Sequence, residues 1–141
     1  MALDSRIKAE GVVAIRNYLR GRKYRNHKLT FGENTFDSMK EYNRYLDLMD
    51  LEMQGKIKDL RRQVKYVLIP AQREPDSVGK RGGKIRGKLL EREVAYYADF
   101  VYQLADTGTL IVEDTKGMRT TEYIIKRKMM LFFYGIKIKE I

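Results

Sequence analysis

The sequence has 141 residues, enough for one domain with a real core and too few for two ordinary ones, and it carries 29 Lys+Arg against 19 Asp+Glu for a formal charge of +10. It contains no cysteine and no long apolar run, which excludes disulfide staples, thiolate metal sites and a spanning helix. The excess charge favours a polyanionic partner, nucleic acid before any other and no membrane, although some soluble proteins are basic for solubility alone.

The opening MALDSRIKAE brings acids early and lacks an apolar signal core, so a cytoplasmic protein is expected. Residues 3 to about 20 place Leu3, Ile7, Val13, Ala14, Tyr18 and Leu19 at approximately helical spacing before Gly21, which predicts an N-terminal helix over 1–21. From Arg16 to Lys28 run six basic residues and no acid, with Tyr18, Tyr24 and His27 between them. Arg22, Lys23, Arg25 and Lys28 suit a phosphate backbone with an occasional stacked base, and a solvated helix end with its linker reads the same way.

NTFDSMKEYNRYLDLMDLEMQGKIKDL supplies the clearest helix. Asp37 or Ser38 can cap it, Ser38 with Glu41 matches the Ser-x-x-Glu capping box, and Gly55 marks its stop. Met39, Tyr42, Tyr45, Leu46, Met49 and Met53 form its expected buried stripe. QVKYVLIP, 63–70, is rich in branched and aromatic residues and predicts a strand ending at Pro70. The glycine-rich stretch after it carries Lys80, Arg81, Lys84, Arg86 and Lys88. Its middle reads as a mobile loop or hairpin tip whose cations contact nucleic acid, or else as a connection of no consequence.

REVAYYADFVYQL alternates, with Val94, Tyr96, Ala98, Phe100 and Tyr102 on one face and Ala95, Tyr97, Asp99 and Val101 on the other. Asp106-Thr107-Gly108 make a turn, and TLIVEDTK returns as the partner strand. A helix from about Thr120 to Phe133 is expected to bury Ile124, Ile125, Met129, Phe132 and Phe133, and IKIKEI predicts a last short strand.

The two paired strands carry acids in apolar surroundings. Asp99 lies between Ala98 and Phe100, and Asp114 follows Leu110 and Val112 at the same parity. A carboxylate so placed is costly unless paired, hydrogen-bonded or bound to a cation. Asp114 and Lys116 project to one side of an extended chain and Glu113 to the other. Pairing around the turn brings Asp99 and Asp114 to one sheet edge with Lys116 beside them. Mg²⁺ keeps several waters, so Asp99, Asp114 and the carbonyl of Thr115 suffice to hold it while Lys116 addresses a phosphate or a water. A surface hairpin with an Asp114–Lys116 ion pair is the plainer reading of the same residues.

ADF and VEDTKG after the FDSMKEYNRY helix resemble the PD-(D/E)XK nuclease superfamily, and in detail its small bacteriophage-encoded members, similar to phage endonuclease I and Holliday junction resolvases. The likeness runs from about Arg22 to the C-terminus, with RKYRNHK, QVKYVL, YYADFVY and VEDTKGMRTTEYIIKRK in order, so that 22–141 would form the nuclease domain. It implies an α/β fold with a restriction-endonuclease-like αβββαβ core, a mixed sheet flanked by helices. It implies Asp99 and Asp114 as metal-binding acids, Lys116 as the superfamily's lysine, and Glu41 as the carboxylate that completes the metal site. The helix after Gly117 would lend Tyr123 or Lys126 to the phosphate. Ala98 stands where the superfamily's name has proline, and Glu41 is claimed equally by its capping box.

These readings together predict an endodeoxyribonuclease that uses Mg²⁺ or Mn²⁺, and the resemblance alone implies that it acts on branched or junction DNA in phage recombination or replication, in the host cytoplasm. A homodimer is expected, since resolving a junction takes two cuts, with the N-terminal helix as a candidate contact. The competing class is a non-catalytic basic nucleic-acid-binding protein, which leaves the strand-exit acids without an account.

Overall fold

A computed structural model describes residues 28–141. The expected N-terminal helix and Arg22, Lys23, Arg25 and His27 lie outside the described residues. A short hairpin, β1 (Leu29–Phe31) and β2 (Asn34–Phe36), precedes α1 (Met39–Met53) and the long strand β3 (Ile57–Ile69). Four short strands follow, β4 (Gln72–Arg73), β5 (Ser77–Val78), β6 (Lys84–Ile85) and β7 (Leu89–Glu91). The chain then enters β8 (Val94–Leu104), β9 (Leu110–Asp114), α2 (Thr121–Tyr134) and β10 (Lys139–Glu140). The main sheet has the order β10-β9-β8-β3, with β10 parallel to β9 and the other pairs antiparallel. The core is therefore the mixed α/β arrangement expected, with a helix on each face.

Local chemistry sets the helix ends. Ser38 accepts from the Glu41 N–H at 3.1 Å and opens α1, and Thr120 accepts from the Tyr123 N–H at 3.1 Å and opens α2. The buried stripe of α1 differs from the expected one: Glu41, Tyr42 and Leu48 are enclosed with Tyr45 beside them, whereas Met53 is exposed. Leu48, with Ile57, Phe100 and Tyr102, fills the layer between α1 and the sheet. Met130 and Tyr123, with Leu68, Tyr96, Ala98, Val101 and Val112, fill the layer under α2. The apolar period of α2 overstated its burial, because the sheet covers only the narrow stripe through Tyr123 and Met130. Ile125, Phe132 and Phe133 are exposed, Phe132 by 83%.

The expected alternation along β8 is broken. Tyr96 and Ala98 pack under α2, while Phe100 and Tyr102 pack under α1. The partner strand swaps faces at the same rung. Arg62, paired with Phe100, stacks over Phe36 near α1, whereas Val64, paired with Ala98, lies under α2. Between them Gln63 adopts φ 49°, a left-handed conformation that costs a non-glycine residue about 1–2 kcal/mol. Because both strands slip together, register is preserved on either side of the rung, and the rung itself carries Gln63 opposite Asp99.

The glycine-rich stretch is built rather than loose. It continues β3 and β8 as a narrow two-stranded arm in which β4 pairs with β7 and β5 with β6. Gly82 turns the tip at φ 79°, and a Cβ on Gly87 would stand 1.7 Å from the Glu74 carbonyl oxygen, so the two strands approach as closely as glycine permits. No helix among the described residues is long and apolar enough to cross a membrane.

Candidate active site

The β8–β9 register pairs Phe100 with Glu113 and Val101 with Val112. One step further along it, Asp99 stands opposite Asp114, so Gln63, Asp99 and Asp114 lie in a row across three strands. Asp99 also fastens the exit of β9: its Oδ2 accepts from the Thr115 N–H at 2.8 Å and from the Thr115 hydroxyl at 2.7 Å. Thr115, expected to lend its carbonyl, thus holds Asp99 through two donors. On the other side, Asp99 Oδ1 accepts from Gln63 Nε2 at 3.2 Å.

Asp114 is 1% exposed. Its Oδ2 accepts from the Tyr96 hydroxyl at 2.8 Å, while its Oδ1 is buried without a hydrogen-bond partner. The Lys116 ammonium stands 3.2 Å from that oxygen. Burial pushes the Asp114 carboxyl up to about 6; the negative Asp99 adds to the push, and Tyr96 and Lys116 oppose it. Lys116 is steadied in turn by the Tyr123 ring, 4.5 Å below its Nζ.

Glu41 divides its carboxylate between the start of its own helix and the β3 strand. Oε2 accepts from the Asp37 N–H at 2.8 Å, a capping box displaced one residue toward the N-terminus, and Oε1 accepts from Gln63 Nε2 at 3.1 Å. Burial raises the Glu41 carboxyl above its ordinary range, with a further push from Asp99. Arg62 lies 3.6 Å from Oε1. Gln63, which sequence reasoning passed over, is therefore the group that joins Glu41 to Asp99.

Glu113 faces the other way. Arg44 grips it with two parallel bonds at 2.8 and 2.7 Å, the Tyr102 hydroxyl donates to it at 2.5 Å, and Lys139 stands 3.4 Å away. Burial pushes this carboxyl up, but Arg44 and Tyr102 outweigh it and hold it below the ordinary range. The Glu113 oxygens are thus satisfied within the fold by Arg44 and Tyr102.

The remaining candidates are spread out. Lys80, Arg81, Lys84 and Arg86 are exposed on the arm, with Lys84 2.9 Å from Asp76, and Lys28 is exposed ahead of β1. Lys126 pairs with Glu122 at 2.7 Å along α2. Tyr123 is 5% exposed and donates its hydroxyl to Glu140 at 2.9 Å, with its ring under the Lys116 ammonium.

The donor set is all oxygen and acceptor-rich, which suits a hard divalent cation. Among the described residues no group of three or more His, Cys, Asp or Glu side chains is placed to hold a metal ion. Asp99 and Asp114, neighbours across the β8–β9 pair, are carboxylates of the kind that hold an ion retaining most of its water, and Gln63 stands between Asp99 and Glu41.

A model of the family described as "Protein of unknown function (DUF1064)" matches residues 21–139. No curated protein and no solved structure matches the chain.

Proposed function

The chain belongs to the DUF1064 family, and we propose that it is a divalent-cation-dependent endonuclease that hydrolyses phosphodiester bonds in DNA. The observation that carries the reading is the buried Asp114 carboxylate, whose Oδ1 is answered only by the Lys116 ammonium at 3.2 Å and whose carboxyl the negative Asp99 helps to push up. A carboxylate enclosed in this way is unfavourable in the resting fold and is relieved by a cation. Asp99 and Asp114 would hold Mg²⁺ or Mn²⁺, with Glu41 as a further ligand. When bound, the ion offsets charge on the scissile phosphate and acidifies a water. Lys116, held between Asp114 and the Tyr123 ring, orients the attacking water or a non-bridging phosphate oxygen. Tyr96 fixes the Asp114 rotamer, and Thr115 fixes that of Asp99.

The surroundings suit a polyanion. An open depression of about 510 Å³ beside Lys116 is lined by Lys40, Lys116, Gly117, Met118, Arg119 and Glu140. The arm presents Lys80, Arg81 and Arg86 together with the exposed apolar side chains of Val78 and Ile85, a narrow cationic ribbon of the kind that enters a duplex groove. Branched or junction DNA as substrate, a homodimer and action in the cytoplasm of a phage host rest on the family resemblance. A labelled four-way junction and a linear duplex, incubated with the protein with and without Mg²⁺, test both layers. Mg²⁺-dependent cleavage of the junction is expected. If neither DNA is cut by the folded protein, the enzyme reading fails. Binding without cleavage would favour the basic nucleic-acid-binding alternative.

A further inference from the structure

We infer that the Gln63 carboxamide is a place-holder for the cation, filling the gap between Glu41 and Asp99 in the metal-free protein and leaving it when an ion arrives. The inference rests on the reading of Asp99 and Asp114 as a divalent-cation site and adds a gate to it. Gln63 Nε2 donates to Glu41 Oε1 at 3.1 Å and to Asp99 Oδ1 at 3.2 Å. Only the NH₂ end of a carboxamide can face two carboxylates, because its oxygen carries no proton to give. One neutral dipole thus stands between two acids whose other oxygens are held by Thr115 and Asp37, a place that a divalent charge answers better.

The other cation nearby cannot take that position. Arg62 lies 3.6 Å from Glu41, but its Nη1 donates to Asn34 at 3.0 Å and its Nη2 to the Thr35 carbonyl at 2.8 Å. Its guanidinium is clamped over the Phe36 ring at 3.8 Å. Gln63 is exposed and has solvent to swing into, whereas Arg62 does not. The left-handed backbone at Gln63 is what aims its side chain across the rung, and strain of this sort persists where the surroundings hold it. Withdrawal of the amide sacrifices both bonds, so the gate lowers cation affinity in the wild type and protects the acids while the site is empty.

Calcium titration calorimetry on the full chain, with thermal melts in the absence and presence of Ca²⁺, tests the gate without requiring turnover. Gln63→Ala removes the amide, and Gln63→Asn shortens it beyond reach of both acids while keeping a residue that tolerates the left-handed region. Both variants are expected to bind Ca²⁺ about tenfold more tightly than wild type. They are also expected to melt lower without Ca²⁺ and to recover wild-type stability at saturating Ca²⁺. If Gln63→Ala fails to fold, Gln63→Asn decides. Tighter binding by a variant, including binding where wild type shows none, supports the place-holder. Wild-type binding with equal or weaker binding by the variants overturns it and leaves the cation site standing. If neither wild type nor variants bind, the cation-site reading falls and takes the place-holder with it.

Discussion

Glu113 and Asp114 are consecutive and both enclosed, yet the two sides of β9 treat them in opposite ways. Toward α1, the Glu113 carboxylate receives a two-pronged guanidinium, a phenol and a nearby ammonium. Toward Tyr96, Asp114 receives one phenol at Oδ2 and one ammonium at Oδ1, and a second carboxylate lies across the strand pair. Burial by itself therefore does not mark a functional acid. Glu113 is satisfied within the fold, whereas Asp114 has fewer donors than its burial calls for.

The largest effect that sharpens this contrast is on cleavage. Asp114→Asn should lower the junction cleavage rate about 10³-fold or more while DNA binding is retained. Glu113→Gln should act through stability instead, with cleavage retained at temperatures where it is folded. Gel-based cleavage and mobility-shift assays on the same preparations check both. Next in size is Arg44→Ala, which strands a buried carboxylate and should lower the unfolding free energy by about 3–5 kcal/mol in denaturant titrations. A loss under 1 kcal/mol would erase the contrast.

Stability against pH separates the acids again, and in opposite directions. The Glu113 carboxyl is lowered in the fold, so its contribution is present above its ordinary value of 4.5 and is lost as the pH falls through the folded value. The Asp114 carboxyl is raised from 3.8 to about 6, so the metal-free fold is penalised above pH 6 and relieved as the pH falls toward 4. Asp114→Asn removes that penalty and should stabilise the metal-free protein at pH 7 by about 2 kcal/mol, with no gain at pH 4. Melts at the two pH values check the sign. The smallest expected effect is a control away from both acids: Lys126→Ala breaks a partly exposed helical pair with Glu122 and should cost less than about 0.5 kcal/mol.

Much of the site was legible because hairpin arithmetic is strict. The Asp106-Thr107-Gly108 turn fixes which residues of β8 and β9 face each other, and that alone brings Asp99 to Asp114. Ser38 announced the start of α1, and Thr120 that of α2. Glu41 was legible as a capping-box acid, but its burial beside Tyr42 and Leu48 lay off the stripe that the period of α1 suggested. Gln63 gave no such signal, since a left-handed residue inside a strand has no composition of its own when the residue is not glycine. For the same reason the swap of faces along β8 was invisible to a period-two pattern. The arm read as a loop or a hairpin tip, and its paired strands stayed unseen because they are two or three residues long, too short to alternate. The exposed Phe132 and Phe133 obey the helical period of α2, but periodicity cannot say how wide a face the sheet will cover.

Crystals grown or soaked with Mn²⁺ and measured for anomalous scattering test the central claim most directly. The account predicts a peak at bonding distance from Asp114 Oδ1 and the Asp99 carboxylate, with the Gln63 amide turned away from Glu41. An ion-loaded crystal with no peak near Asp114, and with Gln63 still bridging Glu41 and Asp99, would contradict it.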